Sequence, residues 1–557
     1  MLLILPLVVP LVTALVVGLF PQRLRQPVAT AAVVAHLVMS GMLLHAALGG
    51  APYGAVFGSW PFAVGIRMQA DVLTSAMLVV SGILFLATFI WRAFELRPEP
   101  QARPVTGPVD IDVAPDPDSV PSDGTAPAGP GRPGGYQLAE LRRPRAPDAG
   151  LLALLAACSG AYLARDLFNL YVWFEVLVVS SFLIIAIETG RKERSAWRGY
   201  LSVNVFSSIL FVLGIAFLVG RTGALDFAAI NCIAAADEPA AWGVAWGLIA
   251  TAFLIKSAAF PAGVVLGQTY PGMRWPTAAL FGGLLTKVGV YSLLRLNMEI
   301  LPTVAEAATP LLVWLACLTM LFGVFGAAAS KDAGAILSHH VVSQVGYLLL
   351  GVSLGSPLAV AAAIFYMLHH MLVKAALYFA CGLGELAVGR RKVGDGVGVL
   401  QRDIPAGLLF ALPAASLAGI PLLSGFWAKM LLINGAVKLE NWLAVAFSLL
   451  VGALTLYSMV KLWSGLFATG NEPGTEPDGP AATGRAVELP TWRRVGLWVP
   501  SLLLVACTLW VGLMPGPLWH VARTAMDQVE VAADGCGLSA ALRDQTSRAA
   551  AETHGGY

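Results

Sequence analysis

One carboxylate and four amines stand in segments of the chain that are otherwise apolar. Glu175 lies near the middle of LFNLYVWFEVLVVSSFLIIAI, residues 167–187, and a run of this length and composition predicts a membrane-spanning helix. Later apolar segments contain Lys256, Lys287, Lys374 and Lys429. Because a charge at that depth costs about 3 kcal/mol or more to insert, it marks a functional site with a partner. We therefore expect these five residues to form a route for charge through the bilayer.

Two of the lysines lie beside residues that interrupt a helix. Pro261 follows Lys256 by five residues, and Pro421 and Gly425 precede Lys429. Proline removes a backbone hydrogen bond and its ring clashes with a preceding carbonyl, and transporters build ion sites at such mid-membrane breaks. The two interrupted spans are five helices apart and cross in opposite directions, which is the pattern that two inverted five-helix repeats produce.

Histidines add groups that titrate near physiological pH. His370 precedes Lys374 by four residues, so both lie on one helix face, and His340 stands in LSHHVVSQVGY. We interpret His340 and His370 as candidates for proton transfer together with Lys374. Their neighbours His339 and His369 point about 100° away around the helix and are ranked below them.

Each of these assignments has a structural alternative. A lysine near a helix end can extend its amine to the headgroups, and a histidine can make a hydrogen bond between helices, which is our interpretation of His36. The polar residues Thr286, Ser338, Ser343 and Gln344 either line a path or bond between helices.

The composition excludes a soluble domain. Hydrophobic residues make up 57% of the 557 and charged residues 12%, which indicates a polytopic membrane protein. The net charge of +2 comes from bases scattered between spans and predicts no nucleic-acid surface. Six cysteines without CxxC or metal-ligand spacing predict no metal site, no disulfide framework and no redox cofactor.

We predict an all-α fold with about fourteen transmembrane helices and a short β-hairpin on the membrane surface between the second and third. The first twenty residues are interpreted as a retained span because they lack a basic start and a cleavage site. The predicted spans are 2–20, 28–48, 70–93, 149–164, 167–187, 200–220, 242–263, 277–297, 308–329, 333–354, 357–387, 404–435, 441–464 and 495–514.

The chain divides into five predicted segments. Residues 1–96 hold spans one to three and the hairpin, and residues 97–148 form a disordered Pro/Gly-rich insertion. Residues 149–300 and 301–465 are the two five-helix repeats. Residues 466–557 contain a loop, the last span and a polar tail, whose amphipathic piece at 519–533 lies at the interface or against a partner, unless it is a frayed terminus.

Basic residues outside the spans predict the orientation. They place both termini on the outer side when the following lie inside: Arg23, Arg25, Lys331 and the basic runs at 191–194 and 389–392.

Several strings resemble the antiporter-like subunits shared by Mrp-type multisubunit sodium/proton antiporters and respiratory complex I. They include DLFNLYVWFEVLVVSSFLIIA, FLIKSAAFP, GLLTKVGVYSLLR, HHMLVKAALYFACG and GIPLLSGFWAKMLLI, and the resemblance covers residues 60–95 and 150–465. ILSHHVVSQVGY is most like the D-type subunits of the Mrp antiporters. The chain departs from the family at AGVVLGQTYPGMRWP after Pro261, and at Pro421-Leu422, where the family has two prolines.

The resemblance implies that Glu175 pairs with Lys256. It further implies that protons pass Lys287, His340 and either His370 or Lys374 toward Lys429. The implied partners are other membrane subunits, protons and a monovalent cation, expected to be sodium, in a prokaryotic cell membrane.

These observations predict a proton-translocating subunit of a multisubunit cation/proton antiporter, which is not itself an enzyme. A first alternative is a proton-pumping subunit of a complex I-like NADH:quinone oxidoreductase or a membrane-bound hydrogenase, which redox partners would reveal. A second is a proton channel that energises bicarbonate or carbon dioxide uptake, which a soluble zinc-containing partner would reveal. The cation, the stoichiometry and the location of the cation site stay open.

Overall fold

Helices account for almost all regular structure, because a chain in lipid must satisfy its backbone polar groups internally. The computed structural model describes residues 2–50, 52–57, 63–95, 147–189, 194–394, 397–468 and 489–533. Before the first repeat come α1 (Leu2–Leu19), α2 (Gln22–Leu48) and α3 (Val72–Phe94). The first repeat region contains α4 (Asp148–Leu163), α5 (Leu167–Thr189), α6 (Arg194–Thr222), α7 (Phe227–Ala234), α8 (Gly243–Lys256), α9 (Val264–Thr269) and α10 (Trp275–Ile300).

The second half of the chain is also helical. Its helices are α11 (Pro302–Ala307), α12 (Thr309–Ala329), α13 (Ala333–Leu354), α14 (Pro357–Val388), α15 (Val399–Arg402), α16 (Ile404–Ala418), α17 (Ser424–Lys438), α18 (Trp442–Ala468), α19 (Thr491–Leu513) and α20 (Pro515–Ala533). Among the described residues, twelve helices are long and apolar enough to cross a membrane, and α4 and α16 are shorter apolar helices. The predicted all-α polytopic fold is confirmed.

The predicted surface hairpin is also confirmed. Strand β1 (Tyr53–Phe57) pairs antiparallel with β2 (Ile66–Ala70), so that Tyr53 lies opposite Ala70 and Phe57 opposite Ile66. The hairpin joins the end of α2 to the start of α3, and we call the side of the bundle on which it lies the hairpin face.

Each group of five predicted spans contains one interrupted helix, at its fourth position. In the first group α8 ends at Lys256 and α9 begins at Val264; in the second α16 ends at Ala418 and α17 begins at Ser424. Chain order makes the two interrupted spans cross in opposite directions. The division of the chain into five segments stays a prediction.

Helices α10, α13 and α14 form the centre of the bundle. Each is almost entirely buried, and α14 packs against α10, α13, α16, α17, α19 and α20. Side chains on these three helices are therefore shielded from lipid.

The terminal helix α20 lies across the hairpin face, against α14 and α3. Gln528 accepts a hydrogen bond from Val72 N at 2.9 Å and donates one to Ala47 O at 3.2 Å. The amphipathic piece at 519–533 is thus a docked helix, and the frayed-terminus alternative is wrong there. Of the disordered insertion predicted at 97–148, residues 97–146 lie outside the described residues, whereas Asp148 already begins α4. The loop at 469–488 also lies outside them.

Helices α12 and α13 approach each other so closely that their backbones touch. A Cβ atom built on Gly323 would lie 2.2 Å from Ser343 N, and one built on Gly346 would lie 2.5 Å from Met320 Cγ. No side chain fits at either position, so this pair of glycines sets the distance between the two helices.

We expect Gly323→Ala to destabilise the protein by about 1–3 kcal/mol, because its methyl group meets backbone and not a movable side chain. Thermal unfolding of the detergent-purified protein measures this. Gly41→Ala is the matched control, since a Cβ there meets nothing within 4 Å. Equal unfolding midpoints for the two variants would show that the close approach is not tight.

Candidate functional site

Lys256 ends α8, where the helix is interrupted. Its Nζ atom donates to Ser208 Oγ at 3.4 Å and lies 4.9 Å from the centre of the Phe174 ring. Glu175, the next residue along α5, is a charged neighbour of Lys256, yet the two make no direct ion pair within 4.0 Å among the described contacts. The predicted pairing is thus a proximity across α5 and α8 that leaves Glu175 Oε1 without a hydrogen-bond partner in this part of the chain.

Pro261 lies in the interruption that follows α8, as predicted. The break frees backbone groups, and one of them, Phe260 N, donates to Thr319 Oγ1 of α12 at 3.0 Å. A side chain of a neighbouring helix thus replaces the lost helical bond, which is how membrane helices tolerate proline.

A small cavity joins the end of α8 to the middle of α10. It has a volume of about 30 Å³ and is lined by Lys256, Tyr200, Asn204 and Thr286 among others. A space of this size and polarity holds at least one water molecule. Thr286 Oγ1 is buried without a hydrogen-bond partner in the described structure, so Thr286 lines this cavity and does not bond between helices.

Lys287 follows Thr286 and is fully buried in α10. Its Nζ atom donates to Gly282 O at 2.6 Å. Gly282 belongs to Phe281–Leu285, a π-helical stretch inside α10, and such stretches change the direction of backbone carbonyls and occur often at functional sites. The irregular turn thereby supplies the acceptor that the amine needs.

Lys374 and His370 lie one helical turn apart on α14, and both are fully buried. Lys374 Nζ and both ring nitrogens of His370 have no hydrogen-bond partner in the described residues. By contrast, His36 bonds Pro6 O at 2.8 Å and Leu78 O at 3.2 Å, as a structural histidine should. Unpaired buried polar groups are costly, so these three nitrogen atoms differ from those of an ordinary, satisfied core.

His340, on α13, is fully buried and its Nε2 atom lies 2.7 Å from Ser458 Oγ of α18. Nearby polar residues make contacts between helices: Gln344 accepts from Tyr366 OH, and Ser338 Oγ lies 3.2 Å from Tyr378 OH.

Lys429 is held at the second interruption. Its Nζ atom donates to Leu417 O at 3.0 Å and to Ala418 O at 3.1 Å. These carbonyls end α16, and the negative end of a helix dipole favours a cation. The interruption also contains Pro421, as predicted.

The predicted place of Gly425 in this interruption is wrong. Gly425 lies in the first turn of α17, and the positive φ values of the break belong to Gly419 and Leu422. Gly425 serves close packing instead, since a Cβ there would lie 1.8 Å from Ser416 O.

The structure brings the predicted residues into one electrostatic series. The charged neighbours of His370 include Lys287, Lys374 and His340, and those of His340 include Lys374 and Lys429. The electrostatic series thus runs from α10 through α14 and α13 to α17, and the cavity between Lys256 and Thr286 lies between it and α8.

The structure also disfavours the headgroup alternative for the lysines. Lys287 and Lys374 are 0% exposed and Lys429 is 8% exposed, and the amines of Lys287 and Lys429 bind carbonyls inside the bundle. Lys256 is half-buried, with Ser208 as its partner.

Sequence reasoning missed His369, which belongs with this series, and Lys461, a second lysine bound by backbone carbonyls, whose charged neighbour is Lys331. His369 was ranked below His370, but it is buried, has Lys429 as its charged neighbour and lies next to Gly425. Lys461 of α18 donates to Ala328 O at 2.8 Å and to Ser330 O at 2.6 Å. The signal for Lys461 was its place in an apolar span, and no local signal favoured His369.

Ion pairs of a different kind lie at the hairpin face. Asp71 accepts from Arg165 at 2.7 Å and from Arg295 at 2.6 Å, and Arg295 also pairs with Glu299. Burial alone favours the neutral acid, but the guanidinium groups of Arg295 and Arg165 outweigh it and hold the pKa of Asp71 well below its ordinary value. The two positive and two negative charges cancel, so this end of α10 carries a neutral cluster of ion pairs.

Two more carboxylates anchor the hairpin. Burial raises the pKa of Asp166 to about 6, against the opposing hydrogen bonds from the N–H groups of Asn169 and Arg67. Burial also raises the pKa of Asp226, although Arg67 pairs with it at 3.0 Å. At the opposite end of the bundle, Arg274 pairs with Glu95 at 2.5 Å.

Within the described ranges, no three His, Cys, Asp or Glu side chains come together as a metal site. What the series offers is a set of nitrogen bases that bind protons.

A family model described as "NADH:quinone oxidoreductase/Mrp antiporter, TM" matches residues 164–455. The D-type subunit of the Na(+)/H(+) antiporter of Alkalihalophilus pseudofirmus is 36% identical over 377 residues, which are 68% of this chain and 74% of that protein.

Solved structures agree in fold. A chain of the Mrp complex from Dietzia sp. DQ12-45-1b is 30% identical with a TM-score of 0.79, covering 95% of this chain and 97% of that one. A chain of respiratory complex I from Thermus thermophilus with bound NADH is 20% identical with a TM-score of 0.75, covering 96% and 99%; this likeness concerns the fold alone.

Amine labelling tests where the lysines lie. We expect a membrane-impermeant acylating reagent to modify exposed Lys438 at least about tenfold faster than Lys287, Lys374 or Lys429, because none of these three extends to the headgroups. Mass spectrometry of the labelled protein measures the rates, and all four should react after denaturation. Labelling of Lys429 as fast as that of Lys438, its neighbour on α17, would contradict the buried position.

Proposed function

This chain belongs to the NADH:quinone oxidoreductase/Mrp antiporter membrane family, among the Na+/H+ antiporter D subunits, and we propose that it is the proton-translocating subunit of a multisubunit sodium/proton antiporter. The observation that carries the proposal is the line of buried nitrogen bases from Lys256 to Lys429. At its centre His370 and Lys374 have no partner among the described residues. Bases left free at that depth are what a proton path needs and what a purely structural core avoids.

The mechanism is electrostatic. When Lys256 carries a proton it attracts Glu175, and when it is neutral that attraction is lost. The charge on Lys256 acts on Lys287 across the small cavity, and Lys287 acts in turn on His370 and Lys374. Each step works over short distances in a medium of low dielectric, where charges interact more strongly than in water.

The position of Glu175 also supports the proposal that this chain functions within a multisubunit assembly. It lies on the outward stripe of α5 with Phe168, Val172 and Val179, which are 51%, 39% and 65% exposed, and Glu175 itself is only partly buried. A carboxylate on a membrane-facing stripe is costly unless a partner covers it. Another membrane subunit packed on this stripe supplies that cover.

The protein would lie in a prokaryotic cell membrane with the hairpin face outside. The support is that Arg23, Arg25 and Lys331 lie at the other side of the bundle, because basic residues are retained on the cytoplasmic side. Since α1 starts on the hairpin side and α20 lies there, both described ends of the chain are then outside.

Membership in a redox-driven pump is the weaker alternative. It draws on a 20% identical neighbour of the same fold, whereas the 36% identical relative carries the name of an antiporter subunit. Purification of the assembly from its native membrane separates the two: flavin- or cluster-bearing subunits in stoichiometric amount would favour the pump.

Glu175→Gln and Lys256→Met should each lower sodium-dependent proton flux at least about tenfold, because each removes one charge of a coupled pair. The double variant should lose little more than either single one, since coupled residues are not additive. Flux is measured with a pH-sensitive dye in inverted vesicles that contain the whole assembly. Glu238→Gln, an exposed carboxylate, is the control, and unchanged flux in both single variants would remove the mechanism.

Thr286→Val should slow the same flux about tenfold, because a methyl group in place of the hydroxyl dries the cavity between Lys256 and Thr286. Thr286→Ser keeps a hydroxyl and should keep most of the flux. Thr508→Val is the matched control, since Thr508 is buried in α19 and bonds only to Leu504 O of its own helix. If Thr286→Val transports as fast as Thr508→Val, protons do not cross at this cavity.

A further inference from the structure

Ser458 contacts the series of bases from a helix that none of the sequence motifs covers. It lies on α18 and is fully buried, and its Oγ atom is 2.7 Å from His340 Nε2. The contact joins positions 118 residues apart along the chain.

The hydroxyl of Ser458 has two backbone carbonyls within donating distance. Leu454 O and Thr455 O of its own helix lie 3.0 Å and 3.1 Å from Ser458 Oγ. A serine has one O–H donor and two acceptor lone pairs. With the hydrogen directed at these carbonyls, Ser458 Oγ accepts from His340, so that Nε2 carries the ring proton.

The other tautomer of His340 makes fewer hydrogen bonds. With the proton on Nδ1, the serine hydroxyl would have to turn away from both carbonyls to donate to Nε2, and a buried N–H group on Nδ1 would have no acceptor among the described residues. Orphaned buried donors are rarer than under-satisfied acceptors. The neighbouring His339 shows the usual solution, since its Nδ1 atom lies 2.8 Å from Ala335 O.

We propose that Ser458 is a positioning residue that fixes the Nε2–H tautomer of His340, so that His340 takes up and gives up the translocated proton at Nδ1 alone. This rests on the proposed function. A hydrated proton forms the N–H bond at Nδ1 and leaves from the same atom, while the Nε2–H bond stays intact throughout. Transfer onward from Nε2 is blocked because the serine hydroxyl leads only to backbone carbonyls. His340 therefore stores one proton beside the path and does not conduct through its ring.

The charged state of His340 depends on groups from several helices. His339 adjoins it on α13, Lys374 and His370 face it from α14, and Lys429 faces it from α17. All of these carry positive charge when protonated, so they oppose a proton on His340. The hydrogen bond to Ser458 is the one contact among the described residues that favours the imidazolium, since a charge-assisted bond is about twice as strong as a neutral one.

The test is the pH profile of sodium-dependent proton flux in the complete assembly. We expect Ser458→Ala to move the alkaline limb to lower pH by about one unit, because the imidazolium loses its acceptor. At a fixed pH on that limb the rate then falls about tenfold. Ser458→Thr retains the hydroxyl and should restore the original limb. Thr455→Val is the matched control, because the hydroxyl of Thr455 is buried one turn away and bonds to Val451 O, while the backbone carbonyl that faces Ser458 is unchanged.

Two outcomes would overturn the proposal: a Ser458→Ala profile that coincides with that of the original protein, or an equal shift in Ser458→Thr. Co-purification of the other subunits checks assembly; if Ser458→Ala does not assemble, Ser458→Cys, with its weak acceptor, carries the same expectation. His340→Ala separates a failure of the proposed role of His340 from a failure of the tautomer assignment. If it leaves flux intact, the proposed role of His340 has failed; if it abolishes flux while Ser458→Ala shifts nothing, only the tautomer assignment has failed.

Discussion

Buried amines bound by backbone carbonyls are the interaction on which this structure depends. A regular helix has no carbonyl to spare, since each accepts a bond from the residue four positions on. The chain makes carbonyls available where helices are irregular: Gly282 O for Lys287 at a π-helical turn, and Leu417 O for Lys429 at a helix end. Neither amine has a carboxylate partner among the described ion pairs, so neither is locked in its charged form.

Carboxylates and arginines are kept apart from these amines. Asp71, Arg165 and Arg295 neutralise each other at the hairpin face, and Glu95 and Arg274 do so at the other end. Arginine stays protonated under all ordinary conditions, so the charge of its ion pairs does not depend on pH in that range. Lysine and histidine, which exchange protons more readily, occupy the region between. Residue type thus separates the ion pairs that stabilise the two ends of the bundle from the lysines and histidines between them, which can gain or lose a proton.

Sequence patterns predicted the elements well because hydropathy and proline act locally. The spans, the hairpin and the break at Pro261 follow from runs of residue types within one segment. The patterns failed where two distant segments meet. Gly425 was placed in the break, but its small size serves contact with Ser416, and the bond between His340 and Ser458 joins helices that have no common motif. Such contacts depend on how helices are oriented against one another, which no single segment encodes.

The glycine contacts limit how the bundle can move. Gly323 brings the backbone of α12 against Ser343 of α13, and Gly425 brings the start of α17 against Ser416 of α16. Helices interlocked at this distance cannot slide past each other without steric overlap. Both contacts lie within the second group of five predicted spans, so each helix pair moves as one body. Within such a pair, a change of state falls to the side-chain rotamers.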